Sequence, residues 1–227
     1  MLTKPTPAEI ARMLDHSMLQ PWLTEDDIRR GCEVAIKYNT AAVCARPCDM
    51  KLVASLLKGT DVKPCTVIGF PHGAHLTCVK VYEAEQAVLD GCQELDMVIN
   101  IGRMKAGDDA YVENDIRAVA EAAHRGGAIL KVIIETCCLT DAEKTRACQL
   151  AERAGADFVK TSTGYGAHGA TPEDVALMRA AVSDKVKVKA AGGMRTLDAI
   201  LAVREAGADR CGVSATEAIM KEAFERL

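Results

Sequence analysis

Residues 151–160 read AERAGADFVK, and this stretch describes the passage from one helix to the strand that follows it. The Ala/Glu/Arg segment before Gly155 is typical of a helix, and a glycine suits the left-handed backbone with which many helices end. Asp157 then leads into Phe158 and Val159, which begin a short apolar strand. The same junction recurs as LDGCQELDMV at 89–98 and as VREAGADRCG at 203–212. One junction used three times predicts a chain of repeated βα units.

Eight short apolar segments alternate along the chain with amphipathic or Ala/Glu/Arg-rich segments, several of which open with a threonine and acidic residues that suit a helix N-terminus. Eight βα units without a linker or a change in composition predict an α/β protein, a single (β/α)8 TIM barrel over residues 1–227 with a short N-terminal helical extension. An open doubly wound sheet is the alternative, which the lack of a GxGxxG motif after an early strand disfavours. The predicted strands are MLDHSML (13–19), TAAVCARP (40–47), PCTVIGFP (64–71), ELDMVIN (94–100), LKVIIET (130–136), DFVKTS (157–162), VKVKAA (186–191) and RCGVS (210–214).

The composition limits the partners and the compartment of the protein. The chain has 227 residues, of which 49% are hydrophobic, so it can bury a sizeable core. Its formal net charge is −4 with no basic block, which argues against nucleic acid as a partner. It has ten cysteines but no CxxC pair, no secretory leader and no apolar run that could span a bilayer. These features predict a reduced, cytoplasmic protein without a membrane partner.

Alternate residues of a strand share a face, so parity assigns side chains to the barrel interior. On the sixth strand Lys160 shares a face with Phe158. On the seventh, the valines of VKVKAA suit the helix-facing side, which turns Lys187 and Lys189 inward. On the fourth, Asp96 lies opposite the apolar face. The same parity adds Lys131 and Glu135 from the fifth strand and Asp15 and Ser17 from the first.

A cluster of lysines and carboxylates inside a barrel has two explanations. It could be an ion-pair network that only supports the fold, but buried ion pairs stabilise proteins less than apolar packing does. It could instead be a functional site, because groups with perturbed ionisation concentrate at such sites. The second explanation accounts for more of the pattern, because catalytic groups of these barrels project from the carboxyl ends of the strands.

Two neighbouring lysines have a specific chemical use. Each ammonium disfavours the charge of the other, and burial acts in the same direction. Lowering the pKa of a lysine from about 10.4 to near neutral takes roughly 4–5 kcal/mol. The neutral amine then attacks a carbonyl to form an iminium, which is an electron sink for C–C cleavage. We therefore predict Lys160 as the nucleophile, Lys189 as the charge that tunes it and Asp96 as the acid/base group.

The glycines after the last two strands suggest a phosphate site. Gly192 and Gly193 lie between the seventh strand and a helix that starts near Thr196, and Gly212 and Ser214 lie at the end of the eighth strand. Backbone N–H groups at such turns bind phosphate without a metal. A glycine pair is also ordinary turn chemistry. Its occurrence at the strands where such barrels bind phosphate favours the phosphate site.

Seven stretches carry a resemblance to a known family: LDHSML, TVIGFPHG, ELDMVINIG, LKVIIET, ADFVKTSTG, VKAAGGMRT and ADRCGVS. They follow one another over nearly the whole chain, and through them the chain resembles the deoxyribose-phosphate aldolases, which are class I (Schiff-base) aldolases with a (β/α)8 barrel. The resemblance implies reversible cleavage of 2-deoxy-D-ribose 5-phosphate to acetaldehyde and D-glyceraldehyde 3-phosphate, in deoxynucleoside catabolism, without a metal or organic cofactor.

The resemblance also assigns roles to individual residues. Lys160 matches the Schiff-base lysine, Lys189 the second active-site lysine and Asp96 the aspartate of the proton relay. Residues at phosphate-contacting positions are Gly164, Gly192, Gly193 and Ser214. Asp15 and Ser17 match the polar pair of the first strand, where the family usually has threonine at the second position.

Three positions depart from the family pattern. Ala191 stands where serine is commoner, and Ala215 where some members have a second serine. Tyr165 stands where many members have phenylalanine and some a lysine that contacts the phosphate. These departures concern the affinity for phosphate more than the lysine chemistry, so they leave open a tolerance of unphosphorylated aldehydes.

Other functions are compatible with the same barrel. A phosphosugar isomerase or synthase would use a lysine only as an electrostatic clamp, a binding barrel would have no chemistry, and another class I aldolase would differ only in its substrates. The group of Cys44, Cys48, His72 and His75 matches no zinc spacing, so we predict no metal site. We expect small phosphosugar and aldehyde substrates and a homo-oligomer, with a dimer favoured.

Overall fold

The computed structural model describes residues 4–227 and forms a closed barrel of eight parallel strands, in which each strand pairs with its neighbours in the chain and the eighth pairs with the first. All eight predicted strands are present with shorter spans. Their bounds are β1 (Leu14–Met18), β2 (Ala42–Ala45), β3 (Lys63–Ile68), β4 (Glu94–Val98), β5 (Ile129–Ile133), β6 (Phe158–Lys160), β7 (Lys187–Ala191) and β8 (Arg210–Val213). The (β/α)8 prediction is confirmed, and the open sheet is wrong.

Helices surround the barrel, and the N-terminal extension is α1 (Pro7–Met13), which begins at a capping box of Thr6 and Glu9 and packs on the last helix. No helix within residues 4–227 is both long and apolar enough to cross a membrane. The remaining helices are α2 (Glu25–Tyr38), α3 (Met50–Leu56), α4 (Thr77–Leu89), α5 (Ile101–Lys105), α6 (Asp109–Arg125), α7 (Asp141–Arg153), α8 (Pro172–Ala181), α9 (Leu197–Glu205) and α10 (Thr216–Arg226).

The repeated junction has a common geometry at the ends of α4, α7 and α9. Its glycines have a positive φ of +91° to +108°, which an L side chain rarely adopts; they are Gly91, Gly155 and Gly207. In two junctions the aspartate after the glycine accepts a backbone hydrogen bond from the preceding strand of the barrel. Asp157 accepts a hydrogen bond from the N–H of Leu130 at 2.8 Å, and Asp209 accepts one from the N–H of Val188 at 2.9 Å. The junction therefore aligns the start of β6 with β5 and the start of β8 with β7.

The threonines predicted to start helices are N-caps. The side chains of Thr24, Thr140, Thr171 and Thr196 each accept a hydrogen bond from a backbone N–H in the first turn of the helix they precede. Such a cap satisfies one of the N–H groups that have no partner within the helix. Each of these four helices therefore begins where the sequence indicated.

The strands have an apolar outer face and a divided interior. Outward-facing side chains such as Leu95, Val132 and Val188 are buried against the helices. Inside the barrel, a small apolar cluster on β2 and β3 includes Cys44 and Cys65. Much of the remaining interior is filled by charged side chains, where a barrel of this kind ordinarily packs branched apolar residues. This substitution of charge for apolar volume needs an explanation other than stability.

Candidate active site

Lys160 and Lys189 are neighbours at the carboxyl ends of β6 and β7. The two residues are direct partners in the strand register, and both side chains point into the barrel. Asp96 comes from β4 across the interior, and its Oδ2 accepts hydrogen bonds from both Nζ atoms at 2.7 Å. The three residues proposed from strand parity are therefore in direct contact, with one carboxylate oxygen between the two amines.

A second set of charged side chains lies beneath these three. Lys131 on β5 donates to the other oxygen of Asp96, Oδ1, at 2.7 Å and also lies 2.7 Å from Oε2 of Glu94. Arg210 on β8 contacts that same Glu94 oxygen at 2.9 Å and donates from its Nε to Asp15 Oδ1 at 2.8 Å. The other oxygen of Asp15 lies 2.5 Å from Nζ of Lys189.

These contacts form a closed ring of alternating charges. In order, its members are Arg210, Asp15, Lys189, Asp96, Lys131 and Glu94, and the last contacts the first. We call this set the ion-pair ring. Lys160 is attached to the ring at Asp96 but is not a member of it.

The charges of the ring support one another against burial. Burial opposes ionisation of Asp96, yet the ammonium groups of Lys131, Lys160 and Lys189 hold its pKa well below the usual range. Burial likewise opposes the charge of Lys189, but the carboxylates of Asp15 and Asp96 raise its pKa above the usual range. Both groups are therefore charged at neutral pH.

The outlying members of the ring behave in the same way. Despite burial, the Arg210 guanidinium and the Lys189 ammonium lower the pKa of Asp15. Despite burial, Asp96 and Glu94 hold the pKa of Lys131 well above its usual value. Lys189 is thus a cation beside Lys160, and its role in tuning that lysine stays a prediction.

A cavity opens above Lys160 at the carboxyl end of the barrel. Eight of the nine predicted site residues line it, and the ninth, Asp96, lies directly below. The eight are Asp15, Ser17, Lys160, Gly164, Lys189, Gly192, Gly193 and Ser214. The sequence prediction therefore located one continuous site, with an amine at its floor and glycine-rich backbone at its rim.

Separate segments of backbone approach each other closely at the rim of the cavity. Gly192 has a φ of +85°, and a Cβ there would lie 2.8 Å from the Cα of Gly169. Glycine is therefore required at this turn by both conformation and space. Gly164 faces the same place, since a Cβ added to it would lie 4.0 Å from the Cα of Gly192.

Tyr165 closes one side of the cavity mouth. Its hydroxyl donates to the backbone oxygen of Leu19 at 2.9 Å, and its ring meets that of Phe70 edge-on at a centroid distance of 5.4 Å. The loop after β6 is thereby joined to the loops after β1 and β3. The side chain of Tyr165 is therefore engaged with the protein itself.

Two interior residues of the sequence prediction need correction. Glu135 is buried but follows the end of β5 with a φ of +57°, and its carboxylate accepts from the Thr163 hydroxyl at 2.5 Å rather than joining the lysines. Lys187 shares the inward face with Lys189, but it lies at the amino end of the barrel, where it is exposed and its Nζ is 5.8 Å from the Phe158 ring centroid.

Sequence reasoning missed three charged residues of the site. Glu94 and Arg210 belong to the ion-pair ring, and Arg195 is exposed at the rim beside the glycines. The parity of β4 contained the signal for Glu94, which lies two residues before Asp96 and therefore on the same face. Arg210 is the first residue of the predicted strand RCGVS (210–214) and shares a strand face with Gly212, which was the signal for it.

Three potential metal ligands also meet in the interior. Atoms of Cys44, Cys65 and Asp96 lie within 4.8 Å of one another. Both oxygens of Asp96 are already bound by ammonium groups, so a cation could enter only by displacing them. The donor set therefore suits the lysines better than a metal ion.

Comparison with known proteins places this chain in a family. The model of the DeoC/LacD family aldolases matches residues 10–222. A protein of Clostridium perfringens strain 13, named deoxyribose-phosphate aldolase, is 52% identical over 211 residues, covering 93% of this chain and 94% of its own.

Solved structures agree with this assignment. A putative deoxyribose-phosphate aldolase from Coccidioides immitis superposes with a TM-score of 0.94 at 41% identity, covering 97% of this chain and 87% of its own. A tetrameric deoxyribose phosphate aldolase from Aeropyrum pernix superposes with a TM-score of 0.90 at 31% identity, covering 97% and 93%.

Proposed function

Because this chain belongs to the DeoC/LacD family of aldolases, we propose that it cleaves 2-deoxy-D-ribose 5-phosphate reversibly into acetaldehyde and D-glyceraldehyde 3-phosphate through a lysine Schiff base. The observation that carries the proposal is the contact of Lys160 and Lys189 with one oxygen of Asp96 at the floor of a cavity. An amine held there, next to a fixed cation and a carboxylate, suits attack on an aldehyde carbonyl.

The first step forms the iminium. The neutral amine of Lys160 adds to C1 of the open-chain aldehyde, and the resulting carbinolamine takes up one proton at its hydroxyl and loses water to give a protonated imine. Lys189 keeps its own charge through its contacts with Asp15 and Asp96, so it does not compete as a nucleophile. We propose Lys189 as the cation that favours the neutral form of Lys160.

The second step breaks the C2–C3 bond. A base removes the proton of the C3 hydroxyl, C3 becomes the aldehyde of glyceraldehyde 3-phosphate, and the bonding electrons move toward the iminium to give an enamine. Protonation of the enamine at C2 and addition of water then release acetaldehyde and restore the amine. We propose that Asp96 relays these protons, directly or through a water, because it is the carboxylate in contact with Lys160.

The substrate phosphate would lie at the rim of the cavity. We propose that the backbone around Gly164, Gly192 and Gly193 and the hydroxyl of Ser214 bind it, with Arg195 adding a charge. Asp15 serves the ion-pair ring, and Ser17, which lines the cavity on the same strand, is placed to contact the sugar.

The substrate is tested by direct assay. We expect the purified protein to release acetaldehyde from 2-deoxyribose 5-phosphate, because the cavity combines the amine with an anion-binding rim. We expect little cleavage of ribose 5-phosphate or fructose 1,6-bisphosphate under the same conditions. Faster cleavage of either would assign the site to another class I aldolase, and no cleavage of any would remove the aldolase proposal.

The role of Arg195 is tested by comparing two substrates. Replacing Arg195 with methionine should raise KM for 2-deoxyribose 5-phosphate by roughly 10-fold, since a charge-assisted hydrogen bond contributes about 1.5–3 kcal/mol. KM for unphosphorylated 2-deoxyribose should stay the same. An equal rise for both substrates would mean that Arg195 shapes the loop rather than binds phosphate.

We propose that the protein self-associates, with a dimer favoured; light scattering, against the 24.3 kDa of one chain, measures the stoichiometry. The A. pernix relative is described as a tetramer, which is a larger assembly than the dimer proposed for this chain.

We also propose a cytoplasmic location, which the free thiols of all ten cysteines support. Labelling of those thiols in intact cells would test it.

A further inference from the structure

We propose that Glu94 and Arg210 are positioning residues of this reaction: they close an ion-pair ring that is electrically neutral without Lys160, so that Lys160 can change its charge while Asp96 and Lys189 keep theirs. The inference rests on the proposed function, because it concerns the same lysine. Neither residue touches the cavity, so neither is proposed to contact the substrate.

The ion-pair ring is electrically neutral when Lys160 is left out of the count. The ring has three cations, Arg210, Lys189 and Lys131, which alternate with three carboxylates and balance them. Lys160 is the additional charge, attached through Asp96 alone. A protonated Lys160 therefore leaves the interior with one positive charge in excess, and a neutral Lys160 leaves none. An uncompensated buried charge is costly, so the ring favours the amine that the reaction needs.

Glu94 and Arg210 also close the ring. Without Arg210, Asp15 would lose the guanidinium that holds its Oδ1, and without Glu94, Lys131 would keep Asp96 at 2.7 Å and Asp15 only at 3.8 Å. Asp15 fixes Lys189, and Lys131 fixes Asp96. Glu94 and Arg210 thus hold, at one remove, the two groups that contact the nucleophile.

Glu94 and the guanidinium of Arg210 meet below the reacting groups. Glu94 precedes Asp96 by two residues on the same strand face, and Arg210, although in register with Lys189, reaches Glu94 with its guanidinium at 2.9 Å. That layer would be apolar in a barrel built only for stability. The other titratable groups facing it are the thiols of Cys44 and Cys65. Burial raises the pKa of Cys65 well above its usual value, whereas a hydrogen bond with Cys65 lowers the pKa of Cys44. The ion pairs of this layer all lie within the ring.

The test uses opposite charge changes. Arg210→Met removes a cation and leaves the ring negative, which favours the ammonium form of Lys160. Glu94→Gln removes an anion and leaves the ring positive, which favours the amine. The readout is the rate at which acetaldehyde and cyanoborohydride place a two-carbon adduct on Lys160, measured by peptide mass as a function of pH.

We expect the acid limb of the pH profile to move in opposite directions in the two single variants. It should shift by about one pH unit to higher pH in Arg210→Met and by about one unit to lower pH in Glu94→Gln. The double variant Glu94→Gln/Arg210→Met is neutral again and should return close to the parent profile. Arg125→Met, which removes an equal charge from an exposed pair with Glu85, should leave the profile unchanged.

Failure of the Schiff base and failure of the role of the ring give different results in this experiment. No adduct on Lys160 in the parent protein would refute the Schiff base itself. An adduct in the parent, with limbs that stay in place or move the same way in the two single variants, would overturn the role of the ring. If one single variant fails to fold, the other still decides, because its ring has lost one charge and the acid limb must move. Arg210→Lys and the double variant, which keep the balance of charge, should keep the parent profile.

Discussion

Replacing Lys160 with methionine is expected to lower turnover of 2-deoxyribose 5-phosphate by roughly 10⁴-fold or more. Methionine fills a similar volume but has no amine, so no iminium forms and the electrons of the C2–C3 bond have no sink. Steady-state kinetics measure the loss. Borohydride reduction with acetaldehyde, followed by peptide mapping, should label Lys160 in the parent and leave the variant unlabelled.

The same substitution should not damage the fold. Lys160 is the charge in excess of the ion-pair ring, so its removal leaves a neutral network. The free energy of unfolding, measured in urea, should therefore be equal to or higher than that of the parent, which is unusual for a change at a buried position. A large loss of stability would contradict the charge count.

Lys187→Met is the matched control. Lys187 lies on the same face of β7 as Lys189, but at the amino end of the barrel and exposed to solvent. Its variant should keep parental turnover and the adduct on Lys160. If Lys160→Met retained turnover, or if acetaldehyde labelled Lys189 in Lys160→Met, the nucleophile would be a residue other than Lys160.

Strand parity predicted the centre of the site because the register of a parallel barrel is regular. Lys160 and Lys189 end up side by side since β6 and β7 pair residue for residue, and Asp96 faces them since it occupies the inward phase of β4. A period of two determines which side chains enter the barrel, and the closed topology then brings distant strands together. These features are local in sequence, so they could be predicted.

Parity fails where a strand ends. β5 stops at Ile133, and Glu135 takes a positive φ, which redirects its side chain toward Thr163. Nothing in LKVIIET marks this change, because glutamate is not a residue that favours such a conformation. Lys187 shares the inward face of β7 as parity predicts, but its position at the amino end of the strand leaves it exposed.

The ion-pair ring could not be predicted as a ring. Each of its members is visible as a charged residue at or near a strand, but its closure depends on contacts between residues as far apart as Asp15 and Arg210. Such contacts follow from the stagger of the whole barrel rather than from any segment. The sequence therefore indicated a cluster, and the structure supplies its order.

Replacing Asp96 with asparagine is expected to lower turnover by roughly 10²–10⁴-fold, because the relay loses its proton acceptor while the nucleophile remains. The adduct with acetaldehyde should still form on Lys160. Exchange of the methyl protons of acetaldehyde for deuterium, which requires passage between iminium and enamine, should slow by a factor similar to that of turnover.

The two readouts divide the possible roles of Asp96. Asparagine also removes the carboxylate that three lysines share, so the free energy of unfolding should fall by about 3–5 kcal/mol, as for other broken buried ion pairs. If disorder of the site caused the loss of turnover, trapping on Lys160 would decline together with exchange. If Asp96 carries the proton, trapping persists and exchange alone declines, because the iminium is formed but its C2 proton cannot move. If a folded Asp96→Asn protein exchanged the methyl protons of acetaldehyde at the parental rate, another group would transfer the proton. Asp96 would then only hold the lysines in position.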